Sequence, residues 1–247
     1  MIVVQGDSKM RIMTFNIQHC LDYQKQIIDF DLFADAIKKN SADVCGLNEV
    51  RGDGPVKDYS DQTNTLADKL GFYRYFGEAI KVKGTSPYGN AIVSKYEIKS
   101  AETIKIPDPL FKLEKVNYET RCIIKAVINL DNTDICFLVT HMGLANAERK
   151  NAVKALCRIL DETTLPVILM GDFNSEPDDT VFAPLYERLE DTQQKSVNPD
   201  VKTYPSDKPN VKIDYIFYRG LTCTKTETIT EIYADHLPIT AEFSVKP

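Results

Sequence analysis

The chain reads as a single α/β domain, and three features of its sequence predict this. Short apolar runs bounded by turn residues recur along it, each the length of a buried strand rather than of a helix. Stretches with apolar residues at helical spacing lie between several of these runs. No repeat, low-complexity tract or linker interrupts the alternation, so the 247 residues suit one domain, expected over residues 10–247. Residues 1–9 precede the regular pattern and are expected to be an added, flexible or processed N-terminal segment.

The first strand is expected at residues 11–17 and delivers Asn16 at its end, followed by Gln18 and His19. A helix follows at about residues 31–40, with Leu32, Phe33, Ala36 and Ile37 on one face and acids in its first turn. The next apolar run, residues 42–47, leads into Asn48-Glu49. A carboxylate at the end of a buried strand needs a cation or hydrogen-bond donors, which makes Glu49 a candidate metal ligand. The simpler alternative is an exposed strand-end glutamate. Residues 51–60 read as a loop, and residues 61–70 as a short helix stopped by Gly71. Residues 72–76 are strand-like, and residues 88–95 form a loop feeding another strand.

Residues 107–118 read as a surface loop running into Glu119-Thr120-Arg121. Arg121 could offer a planar fork of donors to a phosphate, or pair with Glu119. Residues 122–130 alternate in burial, and residues 134–140 run into His141. Asn146 is expected to cap a helix whose Val153, Leu156, Cys157 and Leu160 form a core stripe. The run at residues 165–170 then ends abruptly in Gly171-Asp172-Phe173-Asn174. Residues two apart on an extended chain point the same way, so Asp172 and Asn174 are expected to project together beyond the sheet edge. Taken alone, Gly-Asp-X-Asn is as readily a turn. Residues 181–189 read as helical despite Pro184, residues 191–210 as a long loop, and residues 212–218 as a strand carrying Asp214. Asp235 and His236 open the last strand, residues 239–245.

Bulk properties narrow the function. The chain is 43% hydrophobic and 27% charged, with a net charge of −6, so a non-selective duplex-binding protein is not favoured. Six cysteines lie mostly inside apolar runs without C-x-x-C spacing, as reduced core residues do. No apolar stretch approaches the ~20 residues that span a bilayer. The sequence as it stands reads as cytoplasmic; a signal peptide in place of residues 1–9 would instead make it secreted. A monomer is expected.

The stretches TFNIQ, DVCGLNEV, YGNAIVSK, ETR, THMGL, GDFNSEP, IDYIF and DHLPI occur in this order from residue 10 almost to the end. In that set the chain resembles the endonuclease/exonuclease/phosphatase superfamily of DNase I-like phosphoesterases. Each stretch is short; the ordered set carries the resemblance. It implies a four-layered α/β/β/α sandwich, two mixed sheets face to face with helices outside, and a divalent-metal cleft at one sheet edge. By position, Glu49 would be the principal Mg²⁺ ligand, with Mn²⁺ as a substitute, and Asn16 and Asp235 would lie nearby. Asp172 and Asn174 would handle the attacking water, His141 and His236 would face the scissile phosphate, and Asp214 would orient His236. Arg121 and Asn16 would contact phosphate.

These residue types suit the chemistry independently. Phosphoester hydrolysis needs an in-line oxygen nucleophile and neutralisation of charge on the phosphoryl oxygens. The base is either Asp172 or the Asp214–His236 pair, and Asp172 is preferred. His19 is read as packing in a loop. The expected function is a divalent-metal-dependent phosphoester hydrolase, a phosphodiesterase or phosphatase, acting on a small phosphodiester, sugar phosphate or nucleotide-derived compound or on nucleic acid. A DNA or RNA nuclease is the alternative, and Lys81, Lys83, Tyr88, Lys112 and Lys115 are its candidate contacts. A scaffold that keeps the fold without the reaction is a further alternative. No membrane-facing apolar element stands out.

Overall fold

The computed structural model describes residues 8–200 and 202–245; the expectation for residues 1–7 lies outside them. Two six-stranded mixed sheets form the centre. The first has the order β11 (Thr222–Thr228), β12 (Ile239–Val245), β1 (Ser8–Asn16), β2 (Val44–Arg51), β4 (Ser86–Ser94), β3 (Tyr73–Val82). The second has the order β5 (Ile98–Lys105), β6 (Cys122–Leu130), β7 (Thr133–His141), β8 (Val167–Asp172), β10 (Asp214–Arg219), β9 (Glu190–Asp191). Ser8 and Lys9, expected outside the regular pattern, extend β1 by pairing with Val245 and Ser244.

Each sheet holds one parallel pair, β1 with β2 and β7 with β8, and all other pairings are antiparallel. Parallel neighbours need a crossover, which α1 (Phe30–Lys39) and α3 (Asn146–Glu162) supply. Asp29 caps α1 by accepting from the Leu32 N–H, and Asp61 caps α2 (Gln62–Leu70) by accepting from the Asn64 N–H. The cap of α3 differs from the expected Asn146. Ala145 is the N-cap residue, its N–H donates to the Glu148 carboxylate, and Asn146 is the first helical residue.

Period-two alternation sorts the core into three apolar layers. Met10, Ile12, Val44, Ile92, Phe137, Val139, Ile168 and Met170 pack between the sheets. Met13, Phe15, Cys45, Leu47 and Val93, one residue out of phase, pack under α1 and α2. Cys136, Leu138, Val167, Leu169 and Phe217 pack under α3 and α4 (Ala183–Tyr186). A sheet buried on both faces must read as a continuous apolar run, and β7 and β8 do so. The layers therefore stack helix, sheet, sheet, helix, as the resemblance implies.

Three segments differ from expectation. The helix expected at residues 181–189 is only a 3₁₀ turn at Thr180–Phe182 followed by a single α-turn, with Pro184 in its first turn. β5 and β11 form sheet edges where no strand is legible in the sequence.

Candidate active site

The site follows from the same alternation. The inward series Met10, Ile12, Thr14 continues to Asn16, and Val44, Gly46 to Asn48. Across the core, Ile135, Phe137, Val139 continues to His141, and Ile168, Met170 to Asp172. Register aligns the ends: Asn16 opposes Asn48, His141 opposes Asp172, and Asp214 opposes Asp172 from the other side. Where the apolar interleaf between the sheets stops, polar side chains from both sheets face each other.

Asp172 is the hub, fully buried and contacted from every side. Its Oδ2 accepts from Asn16 Nδ2 at 3.1 Å and lies 3.4 Å from His141 Nε2 and 3.7 Å from His236 Nε2. Its own N–H donates to Asn48 Oδ1 at 3.0 Å. Asn48 Nδ2 donates in turn to the Thr140 carbonyl and to Asn90 Oδ1, so this buried amide ties the two sheets together directly beneath the site. His236 Nδ1 stands 2.9 Å from Asp214 Oδ2, which leaves Nε2 facing Asp172. The Thr203 hydroxyl accepts from the backbone N–H groups of Ile213 and Asp214, anchoring that end of β10 to the long loop before it.

Gly171 has φ +145, and a Cβ there would overlap the Thr140 carbonyl oxygen of the paired strand. Only glycine fits, and it lets β7 and β8 stay paired up to His141 and Asp172. The strand then ends. Asn174 has φ +49, so it does not continue an extended alternation beside Asp172 as expected. A tight turn brings it back: its N–H donates to Asp172 Oδ1 at 2.9 Å and its Nδ2 to the Met142 carbonyl at 2.9 Å. The Met142 contact sets the amide orientation, so the nitrogen of Asn174 faces His141 Nε2 at 3.1 Å.

Glu49 stands at a break in pairing. The β2/β4 register shifts between Leu47 and Val50, and Glu49 takes φ +59, a conformation that side-chain-bearing residues rarely adopt. The bulge aims its carboxylate into the cleft mouth, where Oε1 accepts from Asn16 Nδ2 at 3.1 Å. Asn16 thus bridges Glu49 and Asp172. Its Oδ1 accepts from the Gln18 N–H at 3.1 Å, leaving one lone pair free.

Electrostatics divide the site into two halves. Burial pushes the Asp172 carboxyl up to about 7, against the opposing pull of His236. Burial also works against a charged His236, yet Asp214 and Asp172 together push its imidazole up to about 10. Burial, Arg121 and His236 hold His141 well below the usual histidine range, so it is neutral. In the other half, burial raises Asp235, and the neighbouring Glu49 raises it further. Asp235 Oδ1 is buried without a hydrogen-bond partner. Two mutually repelling carboxylates, one of them with an orphaned oxygen, and the carbonyl of Asn16 are hard-oxygen donors of the kind a divalent cation takes. A tighter trio, Asp172, Asp214 and His236, offers donor atoms within 4.8 Å of one another. There the imidazole is protonated and has no lone pair to offer a cation.

Arg121 lies behind His141, bonded to Glu119 at 3.0 Å, with Tyr88 between this pair and Glu49. The ion pair and the place beside the cleft hold together. His19 is half-buried in a left-handed turn just after β1, with Arg51 and Glu49 nearby. All nine expected site residues therefore border one cleft. Sequence reasoning missed Asn48 and Asn90 as parts of it, although NEV and YGN lay inside the motifs, and it named Tyr88 only as a nucleic-acid contact.

Comparison with known proteins agrees with this architecture. An endonuclease/exonuclease/phosphatase family protein from Leptotrichia buccalis superposes with a TM-score of 0.76 at 24% identity, covering 95% of this chain and 99% of its own. A Bacteroides thetaiotaomicron mannosyl-6-phosphatase superposes with a TM-score of 0.74 at 15% identity, covering 95% and 99%. The human Nocturnin catalytic domain with bound sulfate gives 0.69 at 19%, covering 97% and 96%. At these identities the likeness establishes the fold. The sequence model of the Endonuclease/Exonuclease/phosphatase family matches residues 13–236, which spans every residue of the site, and the chain belongs to that family.

Proposed function

We propose that the chain is a divalent-metal-dependent phosphoester hydrolase that acts by in-line attack of water on phosphorus, with a small-molecule phosphoester as substrate. Family membership supports hydrolysis of phosphoester bonds in general. The observation that carries the finer reading is Asp172 Oδ2, held within 3.7 Å of two imidazoles and an amide at the edge where both sheets end.

Asp172 is the general base. With its pKa near 7 it is partly ionised at neutral pH and can accept a proton from water. Asn174, fixed by Met142, positions that water or a phosphoryl oxygen. His236 is protonated at neutral pH, which disqualifies it as the base and suits it to donate from Nε2 to the phosphoryl oxygens as charge builds. Asp214 holds it through Nδ1. His141, neutral, accepts from Asn174 Nδ2 through Nε2 and so holds that amide without adding charge, and Arg121 sustains that neutrality while paired with Glu119. Glu49 and Asp235, with the free lone pair of Asn16, would hold Mg²⁺ or Mn²⁺. The bound ion supplies charge neutralisation at the phosphoryl oxygens.

The acidic chain and four cleft carboxylates disfavour a polyanion, so a small substrate is preferred over nucleic acid. The test is a substrate panel of sugar phosphates, chromogenic phosphoesters, plasmid DNA and RNA, assayed with Mg²⁺, with Mn²⁺ and with EDTA. Metal-dependent turnover of a small ester, absent in Asp172→Asn, is expected. Turnover that survives EDTA, or a preference for DNA that weakens steeply with salt, would overturn the reading.

A further inference from the structure

The loop at residues 107–118 carries the largest group of exposed apolar side chains among the described residues. Leu110 is 95% exposed, Leu113 86% and Phe111 72%, and Val116 is exposed to a lesser degree at 41%. Side chains of this size left in water within one short segment mark an interaction surface. The backbone beneath them is anchored. Asn151 Nδ2 of α3 donates to the Pro107 carbonyl, Thr120 donates to Asp108, and the Glu114 N–H donates to the Tyr118 hydroxyl.

The charges of the segment are arranged unevenly. Both carboxylates are engaged: Asp108 accepts from Thr120, and Glu114 accepts from the N–H groups of Asn146 and Ala147, capping α3 from outside. Lys112 and Lys115 remain interleaved with the apolar side chains, Lys112 lying over the Tyr118 ring. The solvent-facing surface is therefore apolar and cationic. The loop runs directly into Glu119 and Arg121, so it flanks the cleft.

We infer that this loop docks the protein on an anionic lipid surface, with Leu110, Phe111 and Leu113 inserted at the headgroup boundary and Lys112 and Lys115 against the headgroup charge. Protein interfaces deplete lysine from their centre and need about 800 Å² per partner, whereas a few apolar side chains interleaved with lysine suit a headgroup layer. The net charge of −6 gives the chain no general attraction to such a surface, so binding must come from this patch.

The experiment is cosedimentation of the full chain with phosphatidylcholine vesicles, with and without phosphatidylglycerol. The comparison variants are Leu110→Ser/Phe111→Ser/Leu113→Ser and Lys112→Glu/Lys115→Glu. Wild type pellets with the anionic vesicles; the serine variant partitions at least about tenfold less. The charge-reversed variant loses the dependence on phosphatidylglycerol. Both variants keep the wild-type urea midpoint and hydrolyse a water-soluble phosphoester at the wild-type rate. Failure of wild type to bind either vesicle, or equal binding by the serine variant, would overturn the inference. So would light scattering that shows a dimer dissociated by Phe111→Ser, since a second copy would then cover the patch. Vesicle binding needs no turnover, so a chain that binds lipid and hydrolyses nothing refutes only the hydrolase reading.

Discussion

Replacing Asp172 by Asn should abolish turnover and at the same time stabilise the protein at alkaline pH. The carboxyl is fully buried, and its folded-state pKa is raised from an ordinary 3.8 to about 7. An acid raised in this way binds its proton more tightly when folded, so its contribution to stability falls as the pH rises from about 4 through 7. The rise corresponds to about 4 kcal/mol at full ionisation. The value of about 7 already contains the pull of His236. A gain of up to about 4 kcal/mol for the variant at pH 8 is therefore expected, with little difference at pH 4. Urea unfolding in EDTA at the two pH values measures it, and a phosphoester assay in Mg²⁺ should show a loss of about two to four orders of magnitude. A variant less stable than wild type at pH 8 would mean that Asp172 is ionised and well paired, and would remove the physical basis for its role as a base.

Other consequences follow from the same geometry. Asp214→Asn removes the negative charge 2.9 Å from His236 Nδ1, so activity should fall about a hundredfold and the alkaline limb of the kcat/KM profile should move to lower pH. A histidine raised to about 10 contributes stability that is complete below 6.5 and is lost as the pH passes 10, so the stability gap between wild type and this variant should close over that interval. Glu49→Gln should leave the fold intact in EDTA but abolish stabilisation by Mg²⁺, worth about 2.7 kcal/mol in wild type at roughly a hundredfold Kd. Thermal unfolding with and without the ion distinguishes this from a structural role. Gly171→Ala forces a Cβ into the Thr140 carbonyl at φ +145, and a loss of more than about 4 kcal/mol by urea unfolding is expected. Lys212→Met strands the buried Asp191 carboxylate now 3.1 Å from the ammonium, which should cost about 3 to 5 kcal/mol; adding Asp191→Leu should recover most of it.

The central strands were legible because burial on both faces leaves one kind of sequence. Residues 134–140 and 165–170 could be little else, and the polar residue that ends each run marks where the interleaf between the sheets opens. Edge strands carry no such mark. Ser100, Glu102, Lys105 and Thr222, Lys225, Glu227 face solvent, so β5 and β11 pair through backbone groups while their side chains read as loop. The late start of the helix after residue 180 has a local cause, since Pro184 cannot donate an N–H to the preceding turn.

The residues that support the site were harder to read than those that border it. A carboxylate or imidazole after an apolar run draws attention because burying it is costly. A buried asparagine such as Asn48 gives the same one-letter signal as a turn residue, and its worth lies in partners far along the chain: Asp172, Thr140 and Asn90. Those contacts depend on how closely two sheets approach, and that spacing is set elsewhere, for instance where Gly46 leaves room for Met170. Even Asn174, named from its spacing to Asp172, reaches the cleft through a left-handed turn rather than by strand alternation. A two-residue spacing can thus identify the participants while misdescribing their path. The tolerance of the site to substitution should accordingly be lowest at Asn48 and Gly171, which touch no expected substrate and hold the strand ends in register.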